Sequence, residues 1–142
     1  MTNPSTMKPR ILAVLDRSGI QSYGIGHVHV GEMMPEILDD DGRIGVPAAA
    51  LLDAHISFLD DKVATARLHV LVNLPAIRVL DLDAASAPAV ADVAPFTEGD
   101  LARAHAVWAA LEHSAFLLTR EPDKSARTVA EDRTVVIPMD DA

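Results

Sequence analysis

A chain of 142 residues with a hydrophobic content of 49% fits one domain around one core, and it contains no run of about 18 uncharged apolar residues that would cross a membrane as a helix. It has no cysteine, which excludes disulfides, thiolate zinc sites and a cysteine nucleophile and leaves carboxylates and six histidines as the groups able to hold an ion or move a proton. The formal net charge of −9 excludes general coating of nucleic acid by counterion release, although a local basic site is compatible with it.

Residues 1–9 carry two prolines and little periodicity and read as a mobile leader, with one domain over residues 10–142. The start also lacks the apolar core of a signal peptide, so a soluble cytoplasmic protein with no membrane contact is expected. Ile11 to Leu15 is a short apolar run closed by Asp16, as expected for a strand buried on both faces. A loop is expected next, across Gly19, Gly24 and Gly26.

The apolar spacing predicts a helix over 27–38, with Pro35 as a point of kinking, and an acidic turn at Asp39 to Gly42. Ile44 to Val46 reads as a strand, and Pro47 suits the start of a helix over 48–58 because its φ is fixed and its N–H absent. A second helix over 60–74 stops at Pro75, followed by a strand over 77–80. Two more helices, 84–93 and 100–113, flank a segment in which Thr97 or Asp100 can cap the second. Strands at 115–119 and 134–137 enclose a short helix or turn over 123–131. Strands separated by helices imply a parallel sheet covered on both faces.

Ligands of open parallel sheets bind beyond the carboxyl ends of the strands. Asp16 and Glu121 fall at such ends, and Asp53, six residues past Pro47, lies where its side chain can turn toward the same edge. Three short motifs stand in order: Val14-Leu15-Asp16-Arg17-Ser18, Val46-Pro47 followed by Asp53, and a helix from Asp100 leading into Thr119-Arg120-Glu121.

In this order and spacing the motifs resemble the PIN-domain family of metal-dependent ribonucleases, which includes the VapC-type toxins. The resemblance covers about residues 10–138 and implies a three-layer α/β/α fold around a mainly parallel sheet. It also implies a Mg²⁺ or Mn²⁺ ion held by Asp16, Asp53 and Glu121, oriented by Ser18 and Thr119, that activates water for phosphodiester hydrolysis of RNA. Arg17, Arg103 and Arg120 are then the groups expected to meet phosphates. Homodimerisation and an antitoxin-like protein partner follow from the resemblance alone.

Asp53 is one methylene shorter, and Glu121 one longer, than the family's usual acids. The third acid of the family, at the start of the helix before the last motif, aligns with Arg103. Asp100, one helical turn earlier, is the candidate to take its place among the metal ligands. An arginine there can instead pair with Asp16 or Glu121 and stand where the cation would. The alternative reading is therefore a catalytically inactive PIN-fold module that binds RNA or protein.

Bland readings stand beside these. Asp16 also suits a helix cap, Asp53 a solvent-facing position and Glu121 a turn. His27 and His29 diverge by about 200° on a helix and cannot share an ion there. His55 and His69 have no companion in sequence, and Val107, Trp108 and Leu111 read as a core or dimer face.

Overall fold

The apolar runs become strands of one sheet in a computed structural model that describes residues 9–138. The strands are β1 (Arg10–Leu15), β2 (Gly42–Pro47), β3 (Ile77–Leu80), β4 (Phe116–Thr119) and β5 (Thr134–Val136). All neighbours are parallel, in the order β3-β2-β1-β4-β5. The chain therefore builds outward from β1 on one side, then crosses back and builds outward on the other. The reversal opens a crevice beyond the carboxyl ends of β1 and β4.

Helices α1 (Arg17–Gly24), α2 (His29–Asp39), α3 (Ala48–Ser57), α4 (Lys62–Leu71), α5 (Ala87–Val93), α6 (Leu101–Glu112) and the short α7 (Pro122–Ser125) connect the strands. One core joins Ala13, Leu15, Ile44, Val46 and Leu118 to Ile20, Val30, Ala54 and Leu68 from α1 to α4. A second core, on the opposite face, joins Ile11, Val14 and Leu117 to Ala106, Val107 and Ala110 of α6. The result is the three-layer α/β/α arrangement expected from the alternation of strands and helices. Each fully buried Leu or Ile contributes roughly 1.5–3 kcal/mol through apolar area removed from water.

A register jump in β1 explains how that short strand serves both cores. Ile11 pairs with Arg43 but Ala13 with Ile44, so Leu12 is an extra residue opposite β2. The bulge switches the side-chain alternation, placing Ile11 and Val14 on one face and Ala13 and Leu15 on the other.

Of the expected glycine loop after β1, the part through Gly24 is helix, and Gly26, at φ 96°, alone of the three lies in a turn. Asp16 caps α1, its Oδ1 accepting the Gly19 N–H at 2.9 Å. Gly19 and Gly24 serve close approach rather than a turn. A Cβ at Gly19 would stand 2.6 Å from Leu15 Cδ2 and 3.1 Å from the Leu118 carbonyl oxygen, and one at Gly24 would stand 2.5 Å from the Phe58 ring. Burial of Ile20 and Ser22 then outweighs the low helix propensity of the segment.

Other boundaries shift by a cap. Asp61 accepts the Ala64 N–H and starts α4 at Lys62, Asp100 accepts the Arg103 N–H and starts α6 at Leu101, and α2 runs continuously through Pro35. No side chain caps α3, but His105 Nδ1 of α6 accepts the Ala49 N–H at 3.3 Å, meeting one of its orphan donors. Burial lowers the His105 pKa, which keeps that nitrogen free to accept. His55 and His69, without companions in sequence, pair across α3 and α4 with ring centroids 5.4 Å apart. Val107 lies in the core and Trp108 packs against it, whereas Leu111 is exposed. Among the described residues no helix is long and apolar enough to cross a membrane. The expected leader lies outside the described residues except for its last position.

Candidate functional site

Where β1 and β4 end side by side, the backbone brings two motifs into contact. The Asp16 N–H donates to the Leu118 carbonyl at 3.2 Å, tying the strand exits together. Ser18 then stitches them through its side chain. Its hydroxyl donates to Asp16 Oδ1 at 2.6 Å and accepts the Arg120 N–H at 2.8 Å, with Thr119 Oγ1 3.2 Å away. Because the single Ser18 proton goes to Asp16, the Thr119 hydroxyl must be the donor in the last contact. Thr119 Oγ1 in turn accepts the Glu121 N–H at 2.9 Å. Both hydroxyls are thereby committed to positioning Asp16 and Glu121.

Four acids meet at this edge: Asp16 from the end of β1, Asp53 from α3, Asp100 from the cap of α6 and Glu121 after β4. Two arginines stand among them. Arg103 is only 5% exposed. Its Nη2 donates to Glu121 Oε1 at 3.0 Å, its Nη1 lies 3.6 Å from Asp16 Oδ2 and its Nε 3.8 Å from Asp100 Oδ2. Arg17, nearer the solvent, donates to Asp53 Oδ2 at 2.7 Å and lies 3.7 Å from both Asp100 and Glu121. Lys124, one turn after Glu121, closes the rim at 2.7 Å.

The electrostatics follow from this pairing. The hydrogen bond to Asp53 raises the Arg17 pKa against the opposing effect of burial, so its charge is permanent. Burial pushes the Glu121 carboxyl up, but hydrogen bonds from Lys124 and Arg103, and their charges, outweigh it and hold the pKa below its ordinary 4.5. A carboxyl depressed in the folded state stabilises the fold above its unfolded pKa, and that contribution is lost as pH falls through the folded value. Urea midpoints of the wild type are therefore expected to drop more steeply below pH 4.5 than those of Glu121→Gln. Parallel curves would mean that Glu121 gains nothing from its partners.

The expected site residues Asp16, Asp53, Asp100 and Glu121 are thus brought to one edge of the sheet, each beside an arginine, and Ser18 and Thr119 support Asp16 and Glu121 there. Arg17 and Arg103, read from sequence as phosphate contacts, have carboxylate partners. The Arg120 backbone joins the Ser18 network. Lys124 was missed by sequence reasoning, although its position three residues after Glu121 on a helix start is a pairing signal. Among the described residues no group of three or more acids or histidines is placed to hold a metal ion. A divalent ion takes oxygen ligands, and guanidinium nitrogens stand between these carboxylates. As the side chains are arranged, Mg²⁺ or Mn²⁺ does not fit.

No family model and no curated protein matches the chain. Solved structures do. PAE2754 from Pyrobaculum aerophilum aligns with a TM-score of 0.62 at 14% identity, over 90% of this chain and 88% of that one. VapBC2 from Rickettsia felis, solved bound to a DNA fragment from its promoter, aligns with a TM-score of 0.62 at 14% identity, over 89% of this chain and 98% of that one. The five-stranded parallel sheet between helical layers is a PIN-like fold.

Proposed function

We propose that this chain is a PIN-like domain that has left divalent-metal chemistry and acts by binding, with a protein as its partner. The observation that carries the reading is the buried guanidinium of Arg103 among Asp16, Asp100 and Glu121. A protein partner is favoured over RNA on two grounds. The net charge of −9 opposes a polyanion, and two of the three arginines expected to meet phosphate, Arg17 and Arg103, are engaged with carboxylates. The likeness to VapBC2 supports, for this chain as well, the antitoxin-like partner that the family resemblance implies.

A second reading, a Mg²⁺- or Mn²⁺-dependent ribonuclease, is supported by the meeting of four acids at the strand ends. It requires the guanidiniums to move away first. Incubating the purified chain with single-stranded and structured RNA in the presence of Mn²⁺ separates the two. The binding-module reading expects no cleavage beyond that of Asp16→Asn. Metal-dependent cleavage that disappears in Asp16→Asn would establish the nuclease instead.

A further inference from the structure

We infer that the open edge of β5 is the strand on which a protein partner docks, as an extended segment that hydrogen-bonds to Val136 and sends two adjacent basic side chains to the two faces of the sheet. This rests on the reading of the chain as a protein-binding module and adds the place and the chemistry of the contact.

β5 ends the sheet on one side and pairs with β4 alone, through Thr134, Val135 and Val136. The Ile137 N–H turns inward and donates to the Thr119 carbonyl at 2.7 Å. Successive peptide groups of a strand point to opposite sides, so the N–H and C=O of Val136 turn outward, to the side with no neighbouring strand. Val136 is 54% exposed, which leaves this stretch of edge uncovered. Backbone groups presented in this way are a template for an added strand. Three residues of edge supply few such bonds, so affinity and selectivity must come from what lies on either side.

A cavity flanks the edge on each face of the sheet. On the α7 side, one of about 500 Å³ has apolar walls from Pro122, Ala126, Val129 and Val136 and carries Asp123 and Glu131. On the α2 side, one of about 320 Å³ is walled by Met33, Val135 and Ile137 and carries Glu32 and Glu36, one helical turn apart, beside His29. Neighbouring side chains of a strand laid along Val136 point to opposite faces and so reach the two cavities. An apolar wall next to a carboxylate suits Lys or Arg, whose stem lies on the wall while its charge stays at the rim. All four acids are exposed, and among the described residues none has an ion-pair partner and neither lining contains Lys or Arg. The complementary occupant is therefore basic. A second copy is disfavoured, because pairing β5 with β5 would set these acids against their own kind in a chain of net charge −9.

The test is titration of the isotopically labelled full-length chain with the acetylated and amidated peptide Thr-Val-Arg-Lys-Val-Thr, whose flanks favour an extended strand. Binding is expected to slow amide hydrogen exchange at Val136, and the acidic peptide Thr-Val-Glu-Glu-Val-Thr is expected not to bind. Of two peptides N-methylated at the Arg or at the Lys amide, only the one whose methyl group faces β5 is expected to bind about tenfold more weakly, through the lost hydrogen bond. Val136→Pro, which removes the outward N–H at an edge position where proline is tolerated, should weaken the unmodified peptide to a similar extent. Glu32→Gln/Glu131→Gln, which takes one charge from each cavity, should weaken it about fivefold. Should Val136→Pro fail to fold, the two methylated peptides on the wild type decide. Equal binding of both, unchanged exchange at Val136 or no binding at millimolar peptide would overturn the edge site while leaving a protein partner at another surface in place. Self-association of the wild type that Val136→Pro abolishes would make a second copy the occupant and overturn the basic segment. Failure of the binding-module reading itself is read separately, as metal-dependent RNA cleavage that is lost in Asp16→Asn.

Discussion

Arg103→Ala is expected to lower the unfolding free energy by about 3–5 kcal/mol, the range for breaking a buried pair so that a charge is left uncompensated. The charge at stake is Asp16, 2% exposed and facing Arg103 in the interior. The bonds it accepts from Ser18 and Gly19 survive the substitution and place the expected loss toward the lower end. Neutralising that charge in Arg103→Ala/Asp16→Asn should then cost less than the two single substitutions added together, since partners in one network do not behave independently. Urea midpoints at constant m-value give all four corners of the cycle. Strict additivity would mean that Arg103 stabilises the fold through packing of its stem alone.

Leu15→Ala is expected to cost about 2–5 kcal/mol, the sum of lost transfer energy and an incompletely closed cavity. Leu15 is fully buried and belongs to the core between the sheet and α1. It also lies directly against Gly19, one turn into the helix that Asp16 caps. Val136→Ala, at a half-exposed position of β5, should by comparison change stability by no more than about 0.5 kcal/mol. Comparable urea midpoints for the two variants would contradict the assignment of the core.

Much of this architecture was legible because short apolar runs closed by Asp, Pro or Gly leave few alternatives to a buried strand. All five strands fall where those runs lie, and the order of motifs indicated which strand ends would meet. The helix after β1 was not legible, since Gly19 and Gly24 carry a turn signal, and only the tertiary packing of Leu15 and Phe58 shows why glycine is needed. The competition between Asp100 and Arg103 was visible in their spacing but had no answer there. A helix cap resolves it: Asp100 points its Oδ1 at the Arg103 N–H, and this leaves Oδ2 and the guanidinium side by side at the sheet edge. The pairing of Arg17 with Asp53 spans 36 residues and depends on how α3 packs on α1, which no local pattern encodes.

The stitch between Ser18 and the β4 exit joins residues 101 and 102 positions apart. During synthesis, β1, β2 and β3 emerge long before α6 and β4, and with them Asp16 and Asp53 emerge before Arg103 and Glu121. Until the later segment arrives, the nascent sheet has an unpaired edge at β1 and an acidic corner lacking its buried counter-charge. Pairings of such long sequence separation are slow to form. A ribosome-bound or truncated chain ending before α6 is therefore the form most exposed to edge-to-edge association, and its docking with α6 and β4 completes the sheet and neutralises the corner in one event.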